Sequence, residues 1–310
     1  MYSGPIYLQG LAYTLGDAHD IGELEELRTD PDTLEMLHEL GLKSYRKHSS
    51  TPVEMAGLAL RQTLDFAGLD GQAIDALIYA TTSFWDSEFY RRGEISRLLS
   101  RLGVSQAYPL GLFFSECANL QTALRVATSL IRAGECKRVL VVTTDKTAES
   151  ETRLVPPSIS VKSDAAASCL VSAEVPGDFE VVFTGQHFNA EAGKIDPHRQ
   201  VIYYMQSMIE GLSITWEKVK VFTDVKPEDF RQLISNNYNL SVIRTICELL
   251  QFEPGQLYTK NIARLAHAIA ADNLVNLLDY SKEETINAGE LIMLLGTGPA
   301  MWGATVLRKC

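Results

Sequence analysis

The chain has 310 residues, 46% of them hydrophobic, enough for one large core or two fused ones. A formal net charge of −11 excludes the basic face that binding nucleic-acid phosphates requires, and no apolar run approaches the roughly 20 residues of a membrane span. Five cysteines (Cys117, Cys136, Cys169, Cys247 and Cys310) without a CxxC spacing read as reduced thiols of a cytoplasmic protein, and the start Met1-Tyr-Ser-Gly-Pro-Ile lacks the basic-then-apolar pattern of a signal peptide.

In chain order the pattern predicts a helix over 52–67, a strand over 76–81, a helix over 94–102 and an apolar, strand-like run from Pro109 to Phe114. A helix over 118–132 and strands over 138–143 and 167–172 follow. The segment 184–220, with His187, His198 and Tyr203-Tyr204, shows the least regular pattern and is expected to cover the site. Then come a strand over 233–235, helices over 240–250 and 262–278, and strands over 291–295 and 302–307. Continuous apolar strands without alternation belong to sheets covered on both faces, and their alternation with helices gives an α/β fold. The two halves echo each other. Gly134-Glu-Cys-Lys-Arg-Val-Leu-Val-Val-Thr143 parallels Gly289-Glu-Leu-Ile-Met-Leu-Leu-Gly296, and Asp75-Ala-Leu-Ile-Tyr-Ala-Thr-Thr82 parallels Phe230-Arg-Gln-Leu-Ile-Ser-Asn-Asn237. We therefore expect a duplicated unit, with residues 1–175 and 176–310 as its halves.

The strand-to-helix turn Ser115-Glu-Cys117-Ala-Asn carries the chemistry. A thiol in the first turn of a helix faces free backbone N–H groups and the positive dipole end, which favour thiolate over thiol. Such a turn also lifts its residue out of the sheet toward a ligand, as nucleophile elbows do. A lone cysteine is otherwise a small hydrophobe filling a helix–sheet contact.

Seven segments in order give this turn its context. They are Gly41-Leu-Lys-Ser-Tyr-Arg46, Leu77-Ile-Tyr-Ala-Thr-Thr82-Ser83, Ser115-Glu-Cys117-Ala-Asn, Lys162-Ser-Asp-Ala-Ala-Ala167, Ser235-Asn-Asn-Tyr-Asn-Leu240, Asn261-Ile-Ala-Arg-Leu-Ala-His267 and Gly296-Thr-Gly-Pro-Ala-Met-Trp302-Gly. Together they resemble the thiolase superfamily, nearest the β-ketoacyl-acyl-carrier-protein synthase III type. The resemblance implies a five-layered αβαβα sandwich and a homodimer. It also implies a cysteine that takes an acyl group from a coenzyme A or acyl-carrier-protein thioester, with no tightly bound cofactor. In typical members a histidine and an asparagine then help decarboxylate a malonyl thioester. By their places in these motifs and in Tyr203-Tyr-Met-Gln206, the candidate substrate-binding residues are Thr82, Tyr204, Asn239, Gly298 and Met301.

The departures from the pattern are informative. Asn236 stands where the family has histidine, and His267 where it has asparagine. Both side chains can hydrogen-bond a thioester carbonyl, but only imidazole shuttles a proton at neutral pH. The exchange gives a candidate catalytic set Cys117, His267 and Asn236, against the alternative that His267 is simply a satisfied residue of an Ala-rich helix. Glu116 replaces the small residue that usually precedes the nucleophile; pointing inward it would oppose thiolate formation, so it is expected to face a helix end or a dimer contact. The family's coenzyme-stacking Trp is missing from Thr33-Leu-Glu-Met-Leu-His38, and Ser241 replaces a basic residue used for carrier docking. His187 and His198 have no partners at metal-ligand spacing, so no metal is expected.

Two functions follow. The first is an acyltransferase of secondary metabolism, in which Cys117 accepts an acyl group and passes it on by carbon–carbon condensation or to an oxygen or nitrogen nucleophile. The second is a non-catalytic partner in a heterodimer with an active paralogue.

Overall fold

The computed structural model describes residues 2–85, 93–156, 158–174 and 176–310. The segment Trp85-Asp-Ser-Glu-Phe-Tyr90, aromatic and acidic in sequence, lies from residue 86 on outside the described residues. The strands are β1 (Tyr7–Leu15), β2 (Asp17–Asp20), β3 (Ser44–Lys47), β4 (Ala76–Ala80), β5 (Tyr108–Leu112), β6 (Arg138–Asp145), β7 (Leu154–Val155), β8 (Ser160–Val161), β9 (Ala165–Ser172), β10 (Phe179–Phe188), β11 (Phe230–Ile234), β12 (Leu291–Thr297) and β13 (Met301–Lys309). The helices are α1 (Glu25–Arg28), α2 (Pro31–Glu39), α3 (Pro52–Ala67), α4 (Glu94–Leu102), α5 (Asn119–Ala133), α6 (Val201–Thr223), α7 (Leu240–Leu250), α8 (Lys260–Leu265) and α9 (Asp272–Glu283).

Helix α3 begins and ends where its residues dictate. Thr51 and Glu54 form a reciprocal capping box, Pro52 occupies the first turn, and Gly68 closes the helix at φ +62°. Its apolar face packs on β1, β6 and β9, burying Met55, Ala59 and Leu60. Gly10 makes the approach feasible. It sits at φ +63° in the bulge of β1, and a Cβ there would lie 2.9 Å from the Thr63 carbonyl oxygen.

The main sheet runs β11-β12-β13-β10-β1-β9-β6-β4-β5. Its two parts follow one plan. In the first, β4 is parallel to β5 and β6, and β9 and β1 continue antiparallel. In the second, β11 is parallel to β12, followed by antiparallel β13 and β10. A single parallel bridge from Leu233 to Leu257 stands where the first part has β5. The parts join through only two residue pairs of β1 and β10, Tyr7 with Glu180 and Leu8 with Phe179.

Helix α5 packs against β4, β6 and β9 of one part and against β10, β12 and β13 of the other, while α9 touches β1, β9, β11 and β12. These two helices are the central layer of the thiolase-type αβαβα sandwich. Leu120, Leu124 and Ile131 of α5 and Leu274 and Leu277 of α9 share one core with Ile78, Val141, Ile292 and Leu294. Each fully buried Leu or Ile there contributes roughly 1.5–3 kcal/mol of transfer free energy. Helices α3 and α4 cover the first outer face, and α6 and α7 the second. Among the described residues, no helix is long and apolar enough to cross a membrane.

Two expectations fail. The helix read over 262–278 is broken into α8 and α9. Ala266 and Ile269 take φ +49° and +53°, and the intervening backbone is held sideways: His267 N–H donates to Val161 O at 2.9 Å and Ser163 N–H to His267 O at 2.8 Å. Tertiary hydrogen bonds outweigh the helical propensity of the alanines. The segment 184–220 is also more regular than its sequence suggests. It holds the end of β10 and most of the 23-residue α6, whose apolar residues are spread around the helix and leave Ile202 and Tyr203 exposed.

Candidate active site

Strand β5 ends at Leu112, and a 3-10 turn at Glu116–Ala118 leads directly into α5. Ala118 N–H donates to Ser115 O at 2.8 Å, Ser115 N–H to Asn119 Oδ1 at 3.2 Å, and Thr122 Oγ1 to Ser115 Oγ at 2.8 Å. This bracing holds Glu116 at φ +48°, a left-handed conformation that L-residues seldom take. The turn presents Cys117 half-buried at the N-terminal end of α5, while Cys136, Cys169 and Cys247 are buried and Cys310 lies at the exposed end of the chain.

The broken helix supplies the partner. His267 is fully buried, with Nε2 3.2 Å from Cys117 Sγ. Its Nδ1 lies 2.5 Å from Asp272 Oδ2. Asp272, in the first turn of α9, is held from several sides: it accepts from Ala268 N–H at 2.7 Å, from Asn237 N–H at 2.8 Å and from Asn237 Nδ2 at 3.0 Å. Asn276 fixes Asn237 in turn, donating to its Oδ1 at 2.9 Å. Since Asp272 can only accept when ionised, it takes the Nδ1–H and leaves Nε2 facing the sulfur. Burial opposes charge on the imidazole, but the Cys117 thiolate and the Asp272 carboxylate more than offset it and push His267 up to about 10. The geometry is that of a nucleophile, a base and an orienting acid. The Tyr238 ring packs 5.0 Å from the His267 ring, and its hydroxyl donates to Thr297 O.

Asp272 was not singled out in the sequence. An acid at the start of a helix is common because it complements the dipole, so only its position five residues after His267 distinguished it.

Asn236 is buried close by, but both ends of its carboxamide are engaged. Nδ2 donates to Ile269 O at 2.9 Å, and Oδ1 accepts from Thr297 N–H at 2.9 Å. It thus ties the break before α9 to the end of β12. Asn239 caps α7, accepting from Val242 N–H at 3.1 Å. Thr82 donates its N–H and its hydroxyl to Asp145 Oδ1, at 2.6 and 2.8 Å. With Ile269 these two residues line a cavity of about 60 Å³. Asp145 is fully buried, and desolvation raises its pKa.

Gly298 lies against the nucleophile turn: a Cβ on it would stand 3.1 Å from Glu116 Oε2 and 3.6 Å from Cys117 N. Its own N–H is committed to Met301 O at 2.7 Å. Met301 opens β13 opposite Phe188. Tyr204 of α6 is buried. Desolvation, and then the charges of Cys117 and Glu116, push its hydroxyl up to about 12.

Glu116 stands opposite Gly298. Its carboxylate lies beside the 298–301 turn, and burial raises its pKa. Gly298 has no side chain, and the carboxylate occupies the space this leaves. His187 lies in β10, stacked on Trp302 at 5.6 Å. Among the described residues no group of three His, Cys, Asp or Glu side chains is placed to hold a metal.

Comparison with known proteins gives the same picture at the level of the whole chain. The model of the 3-oxoacyl-acyl-carrier-protein synthase III family matches residues 114–187, and the model of that family's C-terminal region matches 221–309. The β-ketoacyl-acyl-carrier-protein synthase III of Aquifex aeolicus strain VF5 is 24% identical over 281 residues, covering 86% of this chain and 88% of its own. The crystal structure of the 3-oxoacyl-acyl-carrier-protein synthase III from Aquifex aeolicus VF5 superposes with a TM-score of 0.83 at 20% identity, covering 98% of this chain and 99% of that one. ChlB3, an acyltransferase, superposes with a TM-score of 0.85 at 15% identity, covering 98% of each chain.

Proposed function

Because the chain belongs to the 3-oxoacyl-acyl-carrier-protein synthase III family of acyl-transferring condensing enzymes, we propose that Cys117 is its acyl carrier, with His267 and Asp272 as partners. The contact of 3.2 Å between Cys117 Sγ and His267 Nε2 carries this reading. The thiolate attacks the carbonyl of an acyl-coenzyme A or acyl-carrier-protein thioester. The Cys117 N–H, next to the 298–301 turn, donates to the oxyanion. The imidazolium gives its proton to the departing thiol, and the neutral imidazole is then available as general base or hydrogen-bond partner for the acceptor. Asp272 holds the ring in one orientation throughout, as the acid of a Ser-His-Asp triad does. Asn236 supports this arrangement from behind, through Ile269 and Thr297.

The second step is condensation or transfer to an oxygen or nitrogen nucleophile. We read the enzyme as a specialised relative acting in secondary metabolism rather than the fatty-acid housekeeping enzyme, because the coenzyme-stacking Trp and the basic docking residue are replaced. The repeated strand order supports dividing the chain into halves 1–175 and 176–310, the first carrying Cys117 and the second His267 and Asp272. Five unpaired cysteines fit a cytoplasmic setting, and a homodimer is the assembly we expect.

Intact-mass measurement after incubation with acyl-coenzyme A and acyl-carrier thioesters tests the reading. One acyl adduct per chain, absent from Cys117→Ala, is expected. No adduct with any donor, or one that persists in Cys117→Ala, would overturn it and favour a non-catalytic partner subunit.

A further inference from the structure

Outside the His267 contact, the immediate surroundings of Cys117 contain two polar groups that the acyl-loading step does not use. Glu116 is the residue before the nucleophile, held at φ +48°. Its Oε2 lies 3.1 Å from where a Gly298 Cβ would stand, and the Cys117 backbone nitrogen lies 3.6 Å from the same point. No side-chain hydrogen bond or ion pair is found for it among the described residues. Tyr204 is buried on α6; its hydroxyl also lacks a partner among the described residues and feels the charges of both Cys117 and Glu116. A half-buried carboxyl without a protein partner is poorly compensated for the water it has lost, and here it stands against Gly298 beside Cys117. Strained backbone and unpaired polar groups of this kind concentrate at sites that bind or react.

We propose that Glu116, with Tyr204, is the acceptor-side acid–base and selectivity element of the enzyme, matched to a hydroxyl or amine nucleophile rather than to a malonyl-type carboxylate. The inference rests on Cys117 being the acyl carrier and adds the class of acceptor. A malonyl carboxylate entering this space would meet Glu116, with Asp272 already buried behind His267. The site would have to hold further negative charge or take up a proton, and both disfavour that substrate. A neutral hydroxyl or amine meets no such penalty and gains a hydrogen-bond acceptor.

The step balances without another reactant. The acceptor's lone pair forms a bond to the thioester carbonyl carbon, and its proton passes to the Glu116 carboxylate. The carbon–sulfur bond breaks and its electron pair stays on Cys117 as thiolate. The Glu116 proton returns through solvent to His267, replacing the one given to the departing coenzyme A thiol. Desolvation of Glu116 raises its proton affinity above that of an ordinary carboxylate, which makes it a stronger base.

The test separates loading from transfer. The enzyme is loaded with acyl-coenzyme A, adduct formation is confirmed by intact mass, and discharge per loaded chain is timed with a primary alkylamine, a primary alcohol, malonyl-coenzyme A, or buffer alone. We expect the amine or the alcohol to discharge wild type at least about tenfold faster than malonyl-coenzyme A does, and Glu116→Gln to lower that ratio by about tenfold or more. Tyr204→Phe should lower it in the same direction and guards against a folding defect at the strained turn. Equal ratios in wild type and Glu116→Gln, faster discharge by malonyl-coenzyme A in wild type, or no acceleration by either nucleophile over buffer would overturn the proposal. Failure of wild type to load at all would instead overturn Cys117 as acyl carrier.

Discussion

The surroundings of Cys117 differ in one physical respect. On the His267 side every polar group named has a partner: His267 contacts the sulfur and Asp272, Asp272 takes three further donors from Ala268 and Asn237, and Asn276 holds Asn237. Around Glu116 and Tyr204 no such partners are found among the described residues. A saturated buried network fixes one geometry, because each unmade bond in it would cost the full desolvation of its group. Unpaired groups leave hydrogen-bonding capacity for a substrate. On the proposed reading, the contrast separates residues that hold the acyl-accepting geometry from those that meet the acceptor.

That division can be broken by mutation. The largest effect is expected for His267→Ala, which removes the charge partner and the proton carrier together. Turnover should fall by about 10²- to 10⁴-fold, while Cys117 still acquires some adduct over long incubation. Near-normal turnover in a steady-state assay would show that the 3.2 Å contact is without consequence. Asn236→Ala comes next and sharpens the comparison, since its bonds run to backbone. It should destabilise the fold by about 1–3 kcal/mol through the orphaned Ile269 carbonyl and Thr297 N–H, seen as a lower denaturation midpoint. Turnover should fall only in proportion to the loosened site. Lost turnover with unchanged stability would instead place Asn236 on the substrate. Asn239→Ala should be the mildest, costing about 1 kcal/mol as a lost helix cap with the kcat of the folded enzyme unchanged. A tenfold fall in kcat would mean that Asn239 touches substrate.

Much of the fold was readable from local signals. Helices α3, α4 and α7 occupy the predicted positions because capping residues and glycines mark their ends: Thr51 and Gly68 for α3, Gly93 and Gly103 for α4, Asn239 for the start of α7. The inner strands were legible as continuous apolar runs. Strands β1 and β10 were not. The first is interrupted by the Gly10 bulge, and the second alternates polar and apolar residues where it leaves the core.

The site was legible only in part, for a related reason. Cys117 stands at a strand-to-helix transition that the sequence displays. The orientation of His267 depends on backbone bonds to Val161 and Ser163, roughly a hundred residues earlier in the chain, and nothing in Leu-Ala-His-Ala-Ile-Ala announces the break. The partners of Asn236 are likewise distant in sequence, as is Asn237, which donates twice to Asp272. The place of Glu116 beside Gly298 was not legible either, because the two residues are far apart in the chain.

The central claim is that His267, held by Asp272 beside the Cys117 sulfur, keeps its proton well above the ordinary histidine range. Burial alone would lower the histidine's pKa, and the two negative partners reverse that, so the folded value lies above the unfolded 6.5, at about 10. The charge on His267 therefore stabilises the fold fully below about pH 6.5, and that contribution is lost as pH rises through about 10. NMR titration of the His267 ring, assigned by its loss in His267→Gln, measures this directly. The account predicts a midpoint near 10 in the wild-type enzyme, falling by at least about one pH unit in Cys117→Ser, where the thiolate is gone and Asp272 remains. A wild-type midpoint in the ordinary histidine range, unmoved by Cys117→Ser, would contradict it.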